Sequence, residues 1–429
     1  MDLHPDAVIH RARAALQRND AAGAIALLDA ALAAQGSHPA LLALRGAAHA
    51  RARHFDAAIA DFSSALLQGP GNPALLFNRA LAFNACERAE EALADFIEVA
   101  RIDQRSIEAP ANAGLILQRL QRHDEAIPYL ERARAGAPRD PRVLRSLGSA
   151  LRASGRHEDG LALLAESERL APDDPASLTD HAVALLATGQ ATGARDRFAR
   201  ALALDPRDQT ALAGLYMAAN GLGDGAAVDR LMDYPRLLVG AHAGADDGID
   251  IDALREATLA HPHLHWEPAG RSTRRGEQSA MLDLSPGSPF AAFGAFVQRC
   301  VAGRVAAAAS DPGLASHPWG SRAPLRWRLQ SWATVLHEGG HQDPHIHPAG
   351  WLSGVFYVDA GDARPGPEDG SLVFGHPPPG TMSAPPREHV NPARTGELMS
   401  FPSYFFHHTR PYRGTRPRIS LAFDVMPLA

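Results

Sequence analysis

The chain has 429 residues, of which 45% are hydrophobic and 21% charged, and its formal net charge is −6 at pH 7. This length exceeds what one ordinary core supports, so at least two domains are expected in a globular chain of average composition. The acidic balance argues against nucleic acid as a partner, because nucleic-acid binding favours a basic surface. No apolar run is long enough for a membrane helix and no basic and apolar leader is visible, so we expect no membrane partner and a cytoplasmic location.

A period of 34 residues runs through the first half of the sequence. Pro39, Pro73, Pro141 and Pro175 fall at equivalent positions, and one step back from the first of them reaches Pro5. This is the period of the tetratricopeptide repeat (TPR), a unit of two helices. Six repeats are therefore predicted between residues 5 and 208, without an insertion.

Small and bulky residues alternate at fixed places inside these repeats. The eighth position of the later repeats is small: Gly46, Ala80, Gly114, Gly148 and Ala182. The twenty-fourth position is bulky: Leu28, Phe62, Phe96, Leu130, Leu164 and Phe198. A small residue allows the two helices of a repeat to cross closely, and a bulky one fills the space beside the crossing.

The repeats need a cap, because a terminal repeat leaves an apolar face uncovered. Residues 209–238 keep helical spacing and are predicted to form this cap, which gives a TPR domain over 1–238. The glycine-rich stretch 239–248 is predicted to be a linker, and 249–429 a second domain. Because TPR arrays commonly present a concave groove, a protein or peptide partner is expected in the repeat half.

The second half changes in character after residue 249. Two helices are predicted, at 252–260 and 289–309, and short strands separated by glycine and proline turns follow. The predicted strands are 326–336, 352–358, 371–374, 397–401 and 418–425. Several short strands after a pair of helices favour a small barrel or a jelly roll. The fold class is therefore multidomain, an all-α solenoid followed by a β domain with flanking helices.

Histidines in this β domain have the spacing of metal ligands. His345 and His347 are two residues apart, so on an extended segment both rings point to one side. A third ligand must come from a distant strand, where His407 and His408 are candidates. Neighbours on a strand face opposite ways, so at most one of these two can point inward.

A second pair with the same spacing lies immediately before the first. His341 and Asp343 read literally as His-x-Asp, and they could supply the ligands in place of His345 and His347. The sequence pattern leaves both registers open.

Arg418 and Ser420 share one face of the last predicted strand. We expect this face to lie near the candidate metal site. A buried arginine needs an anion, and a carboxylate held by the guanidinium group and a hydroxyl would provide one. The sequence therefore predicts an anion-binding position beside the metal.

The order of these features resembles the Fe(II)/2-oxoglutarate oxygenases: His-x-His, an aromatic strand, a distal histidine and Arg-x-Ser. The stretches PHIHPAGWLSGVFYV and FPSYFFHHTRPYRGTRPRISLAFDV are similar to a bacterial family of TPR-containing 2OG-Fe(II) oxygenases. The resemblance covers residues 249–429. It implies a double-stranded β-helix (jelly-roll or cupin-like) fold, Fe(II), 2-oxoglutarate and O₂ as cofactor and cosubstrates, and hydroxylase activity that yields succinate and CO₂.

The resemblance also implies roles for single residues. It places His345, His347 and His407 as the metal ligands and catalytic residues. Most such oxygenases have two histidines and one carboxylate around the iron, whereas this chain has a histidine at the middle position. A neutral imidazole leaves the metal site with one more positive charge than a carboxylate would.

The same resemblance implies that Arg418 pairs with the 5-carboxylate of 2-oxoglutarate, with Ser420 assisting and Tyr357 directed to the same group. The cluster from His261 to His265 is expected to be a surface connection, and His376 is expected not to bind metal.

Two other functions are compatible with these residues. One is a three-histidine, cupin-type dioxygenase that does not use 2-oxoglutarate, against which Arg418 and Ser420 argue. The other is a TPR adaptor whose barrel has lost catalysis, against which the complete set of ligands argues.

Overall fold

The computed structural model describes residues 4–268, 270–362, 369–382 and 384–428. The chain divides into two compact units at Leu170/Ala171, which lies inside the predicted repeat array. No helix in the described parts of the chain is long and apolar enough to cross a bilayer.

The first unit consists of helices paired into hairpins, as the repeat period predicts. Pro39, Pro73 and Pro141 are each the first residue of a helix. Proline is tolerated there because the N–H groups of the first turn have no acceptor within the helix. The helices are α1 (Pro5–Gln17), α2 (Ala21–Gln35), α3 (Pro39–Arg51), α4 (Phe55–Gln68), α5 (Pro73–Ala85), α6 (Ala89–Ile102), α7 (Glu108–Arg119), α8 (His123–Gly136), α9 (Pro141–Ala153) and α10 (His157–Leu170).

The predicted small-to-bulky packing is present within these hairpins. A Cβ atom placed on Gly46 would lie 2.8 Å from the ring of Phe62, and one on Gly114 would lie 2.5 Å from Leu130. Both distances are too short for real side-chain contacts. Glycine therefore allows the close approach of Phe62 and Leu130 at these two crossings. The TPR solenoid predicted from the sequence is confirmed.

The second unit begins with the last repeat and continues into the β domain. A Cβ atom on Gly214 would lie 2.2 Å from Phe198, so α13 crosses α12 as the first helix of a further repeat would. The helices of this unit are α11 (Pro175–Ala187), α12 (Ala191–Leu204), α13 (Gln209–Gly221), α14 (Gly225–Leu231), α15 (Tyr234–Leu237), α16 (Ile251–Leu259), α17 (Ala291–Ser310) and α18 (Pro312–Ala315).

The β domain is a curled antiparallel sheet, which confirms the predicted jelly-roll class. Its strands are β1 (Val239–His242), β2 (Leu264–Trp266), β3 (Thr273–Ser279), β4 (Trp327–His345), β5 (Leu352–Asp359), β6 (Leu372–Phe374), β7 (His389–Asn391), β8 (Glu397–Pro402), β9 (His407–Thr409) and β10 (Arg418–Pro427). The order along the main path is β1-β8-β5-β10-β4-β9-β6-β7, and β3 pairs with both β2 and β4.

Strand β4 is much longer than predicted because it continues through Gly339 and Gly340. Gly339 has φ +79°, and a Cβ atom on Gly340 would lie 2.7 Å from the carbonyl oxygen of Arg275. These two glycines let the strand bend without ending. The first half of β4 therefore pairs with β10, and the end of β4 pairs with β9.

The segment expected to be a linker contains a strand. Residues 239–242 form β1, which pairs with β8 in the register Val239↔Ser400 to His242↔Glu397. Residue patterns do not reveal this strand, because an edge strand can be held by backbone hydrogen bonds alone. Residues 239–248 are thus partly built into the sheet.

One apolar core joins α13 to the β domain within the second unit. It includes Leu212 and Tyr216 from α13, Phe293 from α17, and Phe356 and Leu421 from the sheet. The hydroxyl of Tyr216 donates to the carbonyl oxygen of Gly375 at 2.8 Å and accepts from the backbone N–H of Arg387 at 3.1 Å. The capping helix is therefore part of the folding unit that contains the sheet.

We expect a fragment of residues 249–429 to aggregate, because removing α13 to α15 exposes this core. A fragment of residues 171–429 keeps the core intact and should be soluble and unfold cooperatively. Size-exclusion chromatography and thermal unfolding would compare the two. A soluble, cooperatively folded 249–429 fragment would contradict this account of the core.

Candidate metal centre and anion pocket

Three histidines from separate parts of the sheet meet in one place. His345 is the last residue of β4 and lies directly opposite His407, the first residue of β9. His347 follows two residues later, and its backbone N–H donates to the carbonyl oxygen of Ser403 at 2.9 Å. One ligand atom from each of the three rings lies within 4.8 Å of the other two, so the three could hold one metal ion.

The hydrogen bonds of the rings determine which nitrogen is free. Nδ1 of His345 lies 2.7 Å from the carbonyl oxygen of Asp343, and Nδ1 of His407 lies 3.0 Å from that of Phe405. Nδ1 of His347 lies 2.9 Å from a carboxylate oxygen of Asp424. Carbonyl oxygens and ionised carboxylates accept hydrogen bonds but cannot donate them, so each Nδ1 is the donor. Each Nε2 therefore keeps its lone pair for a ligand.

These lone pairs converge in a space that disfavours protonation. Nε2 of His347 lies 3.3 Å from Nε2 of His407, and two facing lone pairs repel unless a cation lies between them. Burial lowers the pKa of His345 to about 3 and lowers that of His407 well below its usual range. His345 and His407 are therefore neutral, and the neutral imidazole is the form that binds a transition metal.

The competing register, His341 with Asp343, lies outside this cluster. Asp343 forms an ion pair with Arg274 at 2.8 Å, and its side chain is 42% exposed. Nε2 of His341 lies 3.6 Å from Asp343, but no third ligand joins them among the described residues. The geometry favours His345 and His347.

Other histidines of the sequence face elsewhere. His408 alternates with His407 on β9 and contacts the ring of His376, with the centroids 5.5 Å apart. His376 in turn contacts Glu388 at 2.7 Å. Within the described ranges, no group that could hold a metal includes either residue or the cluster from His261 to His265.

A buried polar surface, the candidate anion pocket, borders the same cavity. Tyr357, Ser420 and Thr334 are cross-strand neighbours on β5, β10 and β4, and the cavity that they line with Arg418 is also lined by the three histidines. Arg418 is 3% exposed. Its guanidinium carbon lies 4.9 Å from the centroid of the Tyr357 ring. The two predicted parts of the site are therefore adjacent.

Several polar atoms of this surface have no partner among the residues that the structure describes: the hydroxyls of Tyr357 and Thr334 and Nε of Arg418. Burial raises the pKa of Tyr357, so its hydroxyl stays protonated and can donate. Buried polar groups left unpaired cost free energy. Each of these three groups can donate a hydrogen bond to a carboxylate.

Thr334 was not among the site residues predicted from the sequence. This residue belongs to the surface because β4 pairs with β10 in the register Ser420↔Thr334, and register between distant strands is not visible in the sequence. Trp332, two residues earlier on the same face, stacks on His347 with ring centroids 5.7 Å apart. Its large ring covers one side of the histidine cluster.

The fold and the site together define a jelly-roll domain with a three-histidine metal-site candidate beside an anion pocket. Residues 330–424 match the family model described as "Putative 2OG-Fe(II) oxygenase". Residues 43–107 and 112–175 match the model for the tetratricopeptide repeat. The chain thus contains a domain of this oxygenase family together with TPR repeats, as the motifs indicated.

Three similar solved structures align with 40% to 53% of the chain. MamA from Desulfovibrio magneticus RS-1 is 19% identical over 40% of this chain and 96% of its own, with a TM-score of 0.38. YrrB, a TPR protein with an unusual peptide-binding site, is 17% identical over 43% and 95%, with a TM-score of 0.39. A TPR protein from Parabacteroides merdae is 16% identical over 53% and 90%, with a TM-score of 0.45. No curated protein sequence matches the chain.

Replacing His407 by alanine should abolish most metal binding, because one of three converging nitrogen atoms is lost. Replacing the adjacent His408 by alanine should leave metal binding intact, since this ring faces away from the cluster. Both variants would be loaded with Fe(II) without oxygen and their metal content measured. The reverse pattern would show that β9 presents the other histidine to the site.

Proposed function

We propose that the chain is an Fe(II)- and 2-oxoglutarate-dependent oxygenase that hydroxylates its substrate. The observation that carries this proposal is one cavity lined by three clustered histidines and by a buried arginine whose Nε lacks a described partner. A metal and an anion together would satisfy these groups. A dicarboxylate that also binds the metal through its 2-oxo acid end meets both requirements.

In this proposal His345, His347 and His407 would hold the iron, and the donor set fits a first-row divalent metal. When bound, iron and 2-oxoglutarate together activate O₂, giving succinate, CO₂ and a hydroxylated product. The chain itself supplies orientation and electrostatics. Its hydrogen bonds from Nδ1 hold the three rings in place before any ligand enters.

Arg418 would bind the distal carboxylate of 2-oxoglutarate, with donors from Ser420, Tyr357 and Thr334 around it. A bidentate guanidinium contact is a charge-assisted pair of hydrogen bonds, and burial strengthens it. The cavity has a free volume of about 30 Å³, space for a water-sized group. The cosubstrate must therefore move lining side chains as it enters.

The repeat half would recruit a protein or peptide substrate. In the first unit, a groove is lined by Phe77 from α5, Ala111 and Leu115 from α7, and Ser146 from α9. Leu115 is 49% exposed, so an apolar side chain of a partner could pack against it. A substrate held by the groove would have a raised local concentration at the oxygenase domain.

A second candidate function is a three-histidine dioxygenase that does not use 2-oxoglutarate. It is favoured by one observation, the histidine at position 347 where most 2-oxoglutarate oxygenases have a carboxylate. The two candidates differ in a simple assay, because only the first forms succinate from 2-oxoglutarate. Slow uncoupled turnover without substrate is sufficient for this measurement.

Replacing Arg418 by lysine should weaken 2-oxoglutarate binding by about tenfold to a hundredfold, because a point charge cannot replace the bidentate pair. Iron binding should be unchanged. Calorimetry on protein loaded with Fe(II) without oxygen would measure the affinity, and succinate formation would be followed in parallel.

The matched control is Arg416→Lys, since the side chain of Arg416 is 60% exposed and lies outside the cavity. This variant should bind 2-oxoglutarate normally. Equal affinities for the wild-type chain and Arg418→Lys would remove Arg418 from the cosubstrate site. Iron-loaded wild-type protein that forms no succinate would argue for the second candidate function.

A further inference from the structure

A carboxylate lies directly behind the histidine cluster. The side chain of Asp424 is 13% exposed, and one of its oxygens accepts from Nδ1 of His347 at 2.9 Å. Its other oxygen accepts from the hydroxyl of Ser353 at 2.6 Å, and this hydroxyl lies 2.8 Å from that of Ser403. The described residues offer Asp424 no arginine partner, so its carboxylate is held by His347 and by the hydroxyl of Ser353.

This arrangement distinguishes His347 from the other two rings. Nδ1 of His345 and Nδ1 of His407 donate to backbone carbonyls, which carry only partial charges. His347 alone among the three donates to a carboxylate. It is also the residue that occupies the position where two-histidine, one-carboxylate sites have their carboxylate.

The backbone around Asp424 holds its carboxylate close to the loop that follows His347. Asp424 lies on β10 between Ser353 of β5 and Gln330 of β4, so two neighbouring strands fix its position. A Cβ atom placed on Gly350 would lie 2.7 Å from the hydroxyl oxygen of Ser403 and 3.6 Å from the carboxyl carbon of Asp424. A glycine at this position lets the loop after His347 approach the carboxylate closely.

We propose that Asp424 is a positioning residue that supplies, through His347, the negative charge that the ligand set itself lacks. The inference rests on the proposed function, since it assumes a metal at the three histidines. A carboxylate that accepts a hydrogen bond from a metal-bound imidazole fixes the orientation of the ring. It also makes the metal-binding nitrogen a stronger electron-pair donor. The imidazole of His347 separates the Asp424 carboxylate from the metal. The charge of Asp424 therefore acts over a longer distance, and more weakly, than that of a carboxylate bound directly to the metal.

Replacing Asp424 by asparagine tests the charge with little change of shape. The amide oxygen can still accept from Nδ1 of His347, so the ring orientation is kept while the charge is lost. We expect the dissociation constant for Co(II) or Fe(II) to rise by about ten- to a hundredfold. The Fe(III)/Fe(II) potential should also rise, because removing a nearby negative charge disfavours the ferric ion.

The matched control is Glu388→Gln. This variant also removes one carboxylate from the β domain, but from a partly exposed ion pair with Arg410 outside the cluster. It should leave metal affinity within about twofold of the wild-type chain, since exposed charges interact weakly through solvent. An equal loss in both variants would show that general charge near the site, and not Asp424, determines affinity.

A double-mutant cycle separates charge supply from simple structural support. His347→Asp places a carboxylate among the ligands, and Asp424 would then be a second buried anion beside it. The ligand set then carries its own negative charge and no imidazole links Asp424 to the metal. In that background Asp424→Asn should therefore change metal affinity much less than it does in the wild-type chain. Where His347→Asp does not fold, Ser353→Ala replaces it. This change loosens Asp424 and should weaken metal binding severalfold, less than Asp424→Asn does.

Co(II) titration followed by absorption gives the affinities without any turnover. The role of Asp424 is overturned if Asp424→Asn leaves metal affinity unchanged in the wild-type chain. It is also overturned if Asp424→Asn lowers metal affinity equally in the wild-type chain and in His347→Asp. Either result leaves the metal site in place. A wild-type chain that binds neither Co(II) nor Fe(II) overturns the proposed function as well. The two failures are therefore distinguishable.

Discussion

Each of the three clustered histidines has its Nδ1 hydrogen bonded to an oxygen acceptor, and this constraint determines what the rest of the site can do. With Nδ1 committed as a donor, every ring has its Nε2 lone pair free, and these lone pairs meet within a few ångströms. Burial keeps His345 and His407 neutral, so protons compete poorly for the lone pairs. The cluster is therefore arranged in advance for a cation.

The antiparallel sheet brings the metal-site candidate and the anion pocket together through two long strands. The bend at Gly339 and Gly340 lets β4 pair with β10 along its first half and with β9 at its end, so one strand borders both parts of the site. Strand β10 presents Arg418 at one end and Asp424 further along the same face. A positive side chain for an anionic ligand and a negative side chain behind a histidine are thus held by one backbone segment.

Sequence patterns predicted those features that depend on local spacing. The 34-residue period predicted the helices because each repeat has the same contacts. The His-x-His spacing predicted two rings on one side because side chains alternate along an extended segment. Features that depend on pairing between distant strands could not be seen in this way. Strand β1 is held by backbone hydrogen bonds, while Thr334 and Asp424 reach the site only through the register of β4 with β10. The sequence pattern also left open the choice between His345 with His347 and His341 with Asp343. This choice depends on which pair lies beside a third possible ligand in the folded chain.

The position of a bound metal tests this account most directly. Crystals of the chain grown with Fe(II) and 2-oxoglutarate in the absence of oxygen would be measured at the iron absorption edge, where anomalous scattering locates the metal. The account predicts one iron within bonding distance of the Nε2 atoms of His345, His347 and His407, with the carboxylate of the cosubstrate on Arg418. An iron bound by His341 and Asp343, or coordinated through an Nδ1 atom of the cluster, would contradict it.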